Sequence, residues 1–287
     1  MFGRLKRHRP SLNVQGAMVS DVGTVRPHNE DRVAFRIDAA KPSGRSDRVL
    51  AIVADGMGGH AAGEVASQIA VDTCLKRFSA APNRPAPWLT HTLLGADRAV
   101  RCAAAADARR RGMGTTIALI LIQDGRLHTG HIGDCRVYRM RSGSLTQLTE
   151  DHSLVAALVA NGDLSPEAAR THPQKNIVLQ AIGKGEAVTP AVSPRTGHRL
   201  DAGDRILLCS DGLTDALTDK AIAACMRNVP AAQEACDVLR YQALKAGARD
   251  NVSLGIFDLS AAAQTVAAPT ASPLAETGDI SITGALT

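Results

Sequence analysis

The chain has 287 residues, 45% hydrophobic and 21% charged, which places it among ordinary soluble globular proteins and excludes collagen-like, coiled-coil and wholly disordered classes. Its 33 basic and 28 acidic residues leave a net charge of +5, but Arg4, Lys6, Arg7 and Arg9 supply +4 of it. The body is therefore nearly neutral, and with one Trp, two Tyr and four Phe it lacks the basic, aromatic-studded surface of a nucleic-acid binder.

In chain order, residues 1–13 read as a basic, flexible arm, and no apolar segment of signal-peptide length follows it, which points to a cytoplasmic setting. Residues 14–258 read as one domain. Short β-like runs at 49–54, 117–122, 127–132, 136–140, 205–209 and 252–257 are interleaved with helical patterns at 63–79, 88–111, 153–161, 166–171 and 231–246. None of the apolar runs approaches the about 20 residues of a membrane-spanning helix. Gln123-Asp124-Gly125-Arg126 and Arg141-Ser142-Gly143-Ser144 carry the residues of tight antiparallel turns. Ser165-Pro166-Glu167 is a helix start, with a capping hydroxyl, a pre-set first turn and an acid at the positive end of the dipole. Strands grouped between long helices predict a layered α+β architecture. Residues 259–287, rich in Ala, Thr, Pro and Gly, read as a disordered, low-complexity tail. The six cysteines form no C-x-x-C pair, so neither a zinc site nor a disulfide framework is expected, and most should be buried thiols.

The acids are unevenly divided, 21 Asp against 7 Glu. Turn and cap duty accounts for part of that, but the positions carry more than the count. In four places an apolar run or turn leads into an Asp beside Gly or a small polar residue: Asp55-Gly56, Gly133-Asp134-Cys135, Ser210-Asp211-Gly212 and Arg249-Asp250-Asn251. Glu30-Asp31 is a fifth acidic site. Brought to one edge of the fold, such carboxylates repel and resist desolvation, so the cluster requires raised pKa values or a cation. Oxygen donors without a matching His or Cys set select Mg²⁺ or Mn²⁺ over zinc, and a binuclear hydrolytic centre is the natural expectation.

In order and spacing, these motifs resemble the metal-dependent Ser/Thr protein phosphatases of the PP2C type in their bacterial form. The matching stretches are Ser20-Asp21-Val22-Gly23 through Arg26 with Asn29-Glu30-Asp31, then Val53-Ala54-Asp55-Gly56-Met57-Gly58-Gly59-His60 and Gly112-Met113-Gly114-Thr115-Thr116. His131-Ile132-Gly133-Asp134, Thr149-Glu150-Asp151-His152-Ser153, Ser210-Asp211-Gly212 and Arg249-Asp250-Asn251 follow. Any one of them alone is a weak signal; the whole ordered set is specific.

The resemblance implies a four-layer α-β-β-α sandwich with two central, mostly antiparallel sheets flanked by helices. It also implies hydrolysis of phosphoserine and phosphothreonine in proteins by a water or hydroxide bridging two Mn²⁺ or Mg²⁺ ions, without a phosphoenzyme. Asp55 would bridge the ions with the Gly56 carbonyl on one of them, and Asp211 and Asp250 would complete the inner set. Glu30 and Asp31 would act mostly through bound waters, Asp31 counting with Arg26 among the catalytic groups. Arg26 would hold the substrate phosphate, because a guanidinium matches phosphate oxygens through two parallel hydrogen bonds. Asp134, with Asp211 and Asp215, resembles a third, weaker metal position. Residues 150–185 resemble the flap beside the site. Implied partners are phosphorylated proteins, including a Hanks-type Ser/Thr kinase and its substrates, with the chain acting as a monomer and neither nucleic acid nor a membrane span involved.

Two positions depart from the family pattern. Met57 stands where animal members carry the His proposed as general acid, leaving water as the default donor and His60 as the alternative. Cys135 replaces the usual Ser and reads first as a small buried side chain. Gly56, Gly58 and Gly59 lack the Lys-Ser/Thr ending of a nucleotide-binding loop, and Ser210 lacks the nucleophile-elbow pattern. A silent phosphoprotein-binding module is disfavoured by the presence of both Asp211 and Asp250. An adaptor acting through the basic arm is the third class.

Overall fold

The computed structural model describes residues 11–39, 47–58, 62–78, 84–185 and 187–262. The arginines and lysine of the predicted arm, His60, and all but the first few residues of the predicted tail lie outside them. The strands are β1 (Leu12–Asp21), β2 (Arg32–Asp38), β3 (Arg48–Met57), β4 (Gly114–Gln123), β5 (Arg126–Ile132), β6 (Arg136–Arg141), β7 (Ser144–Gln147), β8 (Ala191–Arg199), β9 (Arg205–Cys209) and β10 (Val252–Ala261). The helices are α1 (Ala62–Arg77), α2 (Pro85–Ala106), α3 (Leu154–Asn161), α4 (Pro166–Thr171), α5 (Asp211–Ala216), α6 (Asp219–Asn228) and α7 (Ala232–Lys245).

Two five-stranded sheets result, ordered β1-β10-β9-β6-β7 and β2-β3-β4-β5-β8, and every pairing is antiparallel. The alternation of side chains along a strand explains how apolar runs become layers. Along β3, Val49, Ala51 and Val53 join Ile206, Leu208 and Phe257 in a cluster between the sheets, whereas Leu50, Ile52 and Ala54 face outward against α1 and α2. The first sheet likewise turns Leu207, Leu254 and Ile256 outward onto α5, α6 and α7. Strands buried on both faces need continuous apolar runs rather than alternating ones, and β4 has nine consecutive buried residues. The four layers match the predicted architecture. Among the described residues no helix is long and apolar enough to cross a membrane.

The two tight turns form as expected: Asp124 and Gly125 at φ 51° and 68°, and Ser142 and Gly143 at 49° and 78°, the double left-handed geometry of two-residue hairpins. Ser165 caps α4 through the N–H of Ala168 at 3.2 Å. Elsewhere the structure departs from expectation. β1 begins at Leu12, inside the segment read as an arm, and β10 runs to Ala261, past the predicted domain edge. These two strands pair with each other over ten positions, so each is ordered by the other rather than by its own pattern. Residues 211–228, outside every helical pattern of the sequence, form α5 and α6. The long second helix ends at Ala106 because Asp107 accepts the Arg109 N–H at 3.0 Å, a local bond that competes with the helical ladder.

Phe257 is fully buried between the sheets and meets Phe35 edge-to-face, with centroids 5.5 Å apart. Phe257→Ala is expected to lower stability by about 3–5 kcal/mol, read as the shift in the urea unfolding midpoint at constant slope.

Candidate metal centre

The side-chain alternation that lines the seam with Val49, Ala51 and Val53 continues to Asp55, which reaches the open end of the seam. Asp55 pairs across β3 and β4 with Thr116. Gly56 comes next because nothing larger fits: a Cβ there would lie 2.3 Å from the Gly63 carbonyl oxygen and 2.5 Å from that of Glu30, where the start of α1 crosses the loop before β2. On the facing sheet, β9 ends at Cys209, paired with both Leu254 and Arg136, so Ser210-Asp211 and the Gly133–Arg136 turn emerge side by side.

Polar side chains hold this convergence in place. Ser210 donates its hydroxyl to Asp31 Oδ2 at 2.8 Å and accepts the Ser253 N–H at 3.1 Å. Asn251 is buried. It accepts the Glu30 N–H at 2.8 Å and donates to the carbonyls of Val22 and His28 at 2.9 and 3.0 Å, fastening the Glu30-Asp31 loop to the start of β10. The Asp134 turn is pinned from the other side. Gly133 donates its N–H to His152 Nδ1 at 3.2 Å and accepts the His152 N–H at 2.9 Å. Gly133 sits at φ 103°, and a Cβ there would meet the Thr116 side chain at 2.3 Å. Thr116 in turn bonds the Cys135 sulfur at 3.2 Å. Burial, and then the neighbouring His131, hold His152 at a pKa of about 4, in keeping with a neutral ring whose Nδ1 accepts.

The result is a concentration of like charge. Burial pushes Asp55 well above the ordinary carboxylate range, and the charges of Asp31, Asp211, Asp134 and Asp250 add to it. Burial likewise raises Asp211, with Asp134 and Asp215 next. Asp31 is lifted to about 6 by burial, against the opposing pull of the Ser253 and Ser210 side chains. Asp134 also reaches about 6, from burial and then the charge of Asp151. Glu30 is raised mainly by burial, partly offset by Arg26 and the Gly63 amide. Glu30, Asp31, Asp55, Asp134, Asp211 and Asp250 therefore form one electrostatic cluster. Arg26 is there too, with its guanidinium 2.7 Å from Asp250 Oδ2. Asp215 adjoins Asp211 but is paired with Lys175.

Among the described residues no three His, Cys, Asp or Glu side chains are grouped so as to hold a cation as they stand, and Asp250 is turned onto Arg26. The donor set nevertheless fits a hard divalent ion. Among the described residues Asp31 Oδ1 and Asp211 Oδ1 are buried without any hydrogen-bond partner, which is costly for a carboxylate oxygen unless a cation takes it, and the remaining donors are all oxygens.

A family model described as protein phosphatase 2C matches residues 27–247. The chain belongs to the protein phosphatase 2C family. Over 255 residues it is 40% identical to the serine/threonine protein phosphatase PstP of Mycobacterium tuberculosis, covering 88% of this chain but 46% of that protein. It thus spans about half the length of that relative. Protein phosphatase PhpP of Streptococcus pneumoniae is 34% identical over 253 residues, covering 85% of this chain and 97% of the relative. Among solved structures, the catalytic domain of PstP in complex with two manganese ions superimposes with a TM-score of 0.76 at 35% identity, covering 87% of this chain and 100% of that one.

Asn251, Ser210 and His152 were visible to sequence reading only as members of motifs, without roles. The signal that could have marked Asn251 is its place after an Asp at a strand start, where an amide can bond backbone in both directions.

Two expectations follow. Asn251→Ala leaves one buried amide and two carbonyls unpaired and should cost about 2–4 kcal/mol, measured by chemical denaturation. Carboxylates whose folded pKa lies above the unfolded 3.8 bind more protons when folded, so their contribution to stability is present at low pH and is lost as pH rises through about 6 for Asp31 and Asp134. The metal-stripped protein should therefore have a lower unfolding midpoint at about pH 8 than at about pH 5, and Mn²⁺ should reverse the loss; a midpoint that rises with pH in chelator contradicts this.

Proposed function

We propose that the chain is a metal-dependent phosphatase of phosphoserine and phosphothreonine in proteins. The observation that carries this reading is the convergence of Asp31, Asp55, Asp134, Asp211 and Asp250, with two carboxylate oxygens buried and unpartnered among the described residues, beside the Arg26 guanidinium. Manganese in the PstP catalytic domain supports Mn²⁺, or the similarly hard Mg²⁺, as the cofactor.

Asp55, the Gly56 carbonyl, Asp211 and Asp250 would hold two divalent ions, and Asp134 with Asp211 would contribute to a third position. Such ions, when bound, would supply Lewis acidity toward phosphoryl oxygens and acidify a water, chemistry that needs no phosphorylated enzyme group. Asp31, held by Ser210, accepts hydrogen bonds from water at the cluster. Arg26 leaves Asp250 to clamp the substrate phosphate bidentately. Met57 offers no proton, and the leaving alkoxide is protonated by water. Residues 14–258 form the catalytic unit, with about 150–185 as a flap; phosphoproteins, a Hanks-type kinase among them, are the partners of a cytoplasmic monomer.

The test is hydrolysis of a phosphothreonine peptide with Mn²⁺ and again with excess chelator. Chelation is expected to abolish turnover, and activity that survives it ends the two-ion reading. Asp211→Asn should lower kcat by roughly a thousandfold with the fold retained by circular dichroism. Arg26→Ala should act mainly on KM, by about ten- to a hundredfold.

A further inference from the structure

Beneath the two short helices between β7 and β8 lies a cavity of about 530 Å³ that opens against Asp134 and Asp211, a volume in the range of ligand pockets. Its roof is α3. That helix is Leu, Val and Ala up to a terminal Asn, yet none of its residues is buried. Val155 and Val159, one turn apart, line the cavity together with Pro166 of α4. An apolar helix face is ordinarily covered by protein, and this one faces open space.

The lining also carries Glu150, Asp215 and Asp219. The basic residues of the lining are already engaged. Arg136 grips Asp151 through two nitrogens and donates to the Tyr138 hydroxyl. Arg170 donates to the carbonyls of Thr214 and Leu217, and Lys175 lies on Asp215. Glu150 and Asp219 have no cation within ion-pair distance among the described residues; Asp219 accepts only the Tyr138 hydroxyl, at 3.3 Å.

Apolar side chains and unpaired acids lining one cavity match a side chain with a long aliphatic stem and a cationic tip. Lys175 already uses the lining in this way, laying its ammonium on Asp215. We infer that the cavity is a specificity pocket for a Lys or Arg side chain of the phosphoprotein substrate, with the stem against Val155 and Val159 and the charge between Glu150 and Asp219. The inference rests on the phosphoprotein phosphatase reading and adds the chemistry of the flanking sequence to it. Extended peptide advances about 3.3 Å per residue, so a pocket adjoining the Asp cluster reads a residue within about three positions of the phosphorylated one.

The test uses the full chain with Mn²⁺ and phosphothreonine peptides with alanine flanks, in which Lys, Arg or Glu is placed at one flanking position at a time. At one position at least, Lys and Arg are expected to raise kcat/KM over Ala by about fivefold, the upper range for an exposed ion pair, chiefly through KM, while Glu lowers it. In Glu150→Gln/Asp219→Asn that ratio should fall to near one. Each variant is its own reference through the all-alanine peptide, and Glu150→Gln alone, at an exposed position, serves if the double variant fails to fold. Turnover of all peptides at equal rates overturns the pocket and leaves the phosphatase reading intact, as does a preference that survives both variants. No turnover of any peptide overturns the phosphatase reading itself, and the pocket with it.

Discussion

Like charge held out of water is the constraint around which this molecule is organised. Asp31, Asp55, Asp134 and Asp211 crowd the open end of a seam between two sheets, and the guanidiniums beside them are already taken, Arg26 by Asp250 and Arg136 by Asp151. Burial and mutual repulsion both favour the protonated forms. A packed fold tolerates such a group only if protons or cations share the site, and bound divalent ions become the largest local charges and reverse the local pKa order. Affinity for a divalent ion and lower stability without one are both expected of this geometry.

The scaffold supplies the rigidity this requires. Every acid of the cluster sits at or just beyond a strand end or on a loop tied to one, so the stacked sheets determine where it can be. Asn251 and Ser210 bond across that edge, and the Gly56 crossing leaves no room for another residue. The α3–α4 segment is built differently. Neither helix buries a residue, and the segment is held at its neck by the Ser153–Val178 bridge and the Leu179 N–H to the His152 carbonyl at 2.7 Å. A rigid chemical end beside a lightly packed rim is the division expected where chemistry must be exact in position and recognition adaptable.

Much of this was legible in the residues. Runs such as 117–122 announce buried strands because a strand covered on both faces must be apolar throughout. The hairpin turns are written in Asp-Gly and Ser-Gly pairs because few other residues accept left-handed backbone. The Asp residues of the centre stood out through their position after apolar runs. β1 and α5 were not legible: β1 alternates weakly and depends on β10, and α5 is six residues long, too short for periodicity to register.

The sequence by itself determined the inventory: oxygen donors in place of sulfur or imidazole, the Arg26 guanidinium within the motifs, and apolar runs enough for a layered core. Tertiary structure alone decided which of those groups meet, that Asp31 takes its hydroxyl from Ser210, 179 positions away, and that α3 roofs a cavity instead of packing. The physical reason is that convergence depends on strand register and on how one sheet stacks on another, and both are settled by contacts between distant segments that no local pattern encodes.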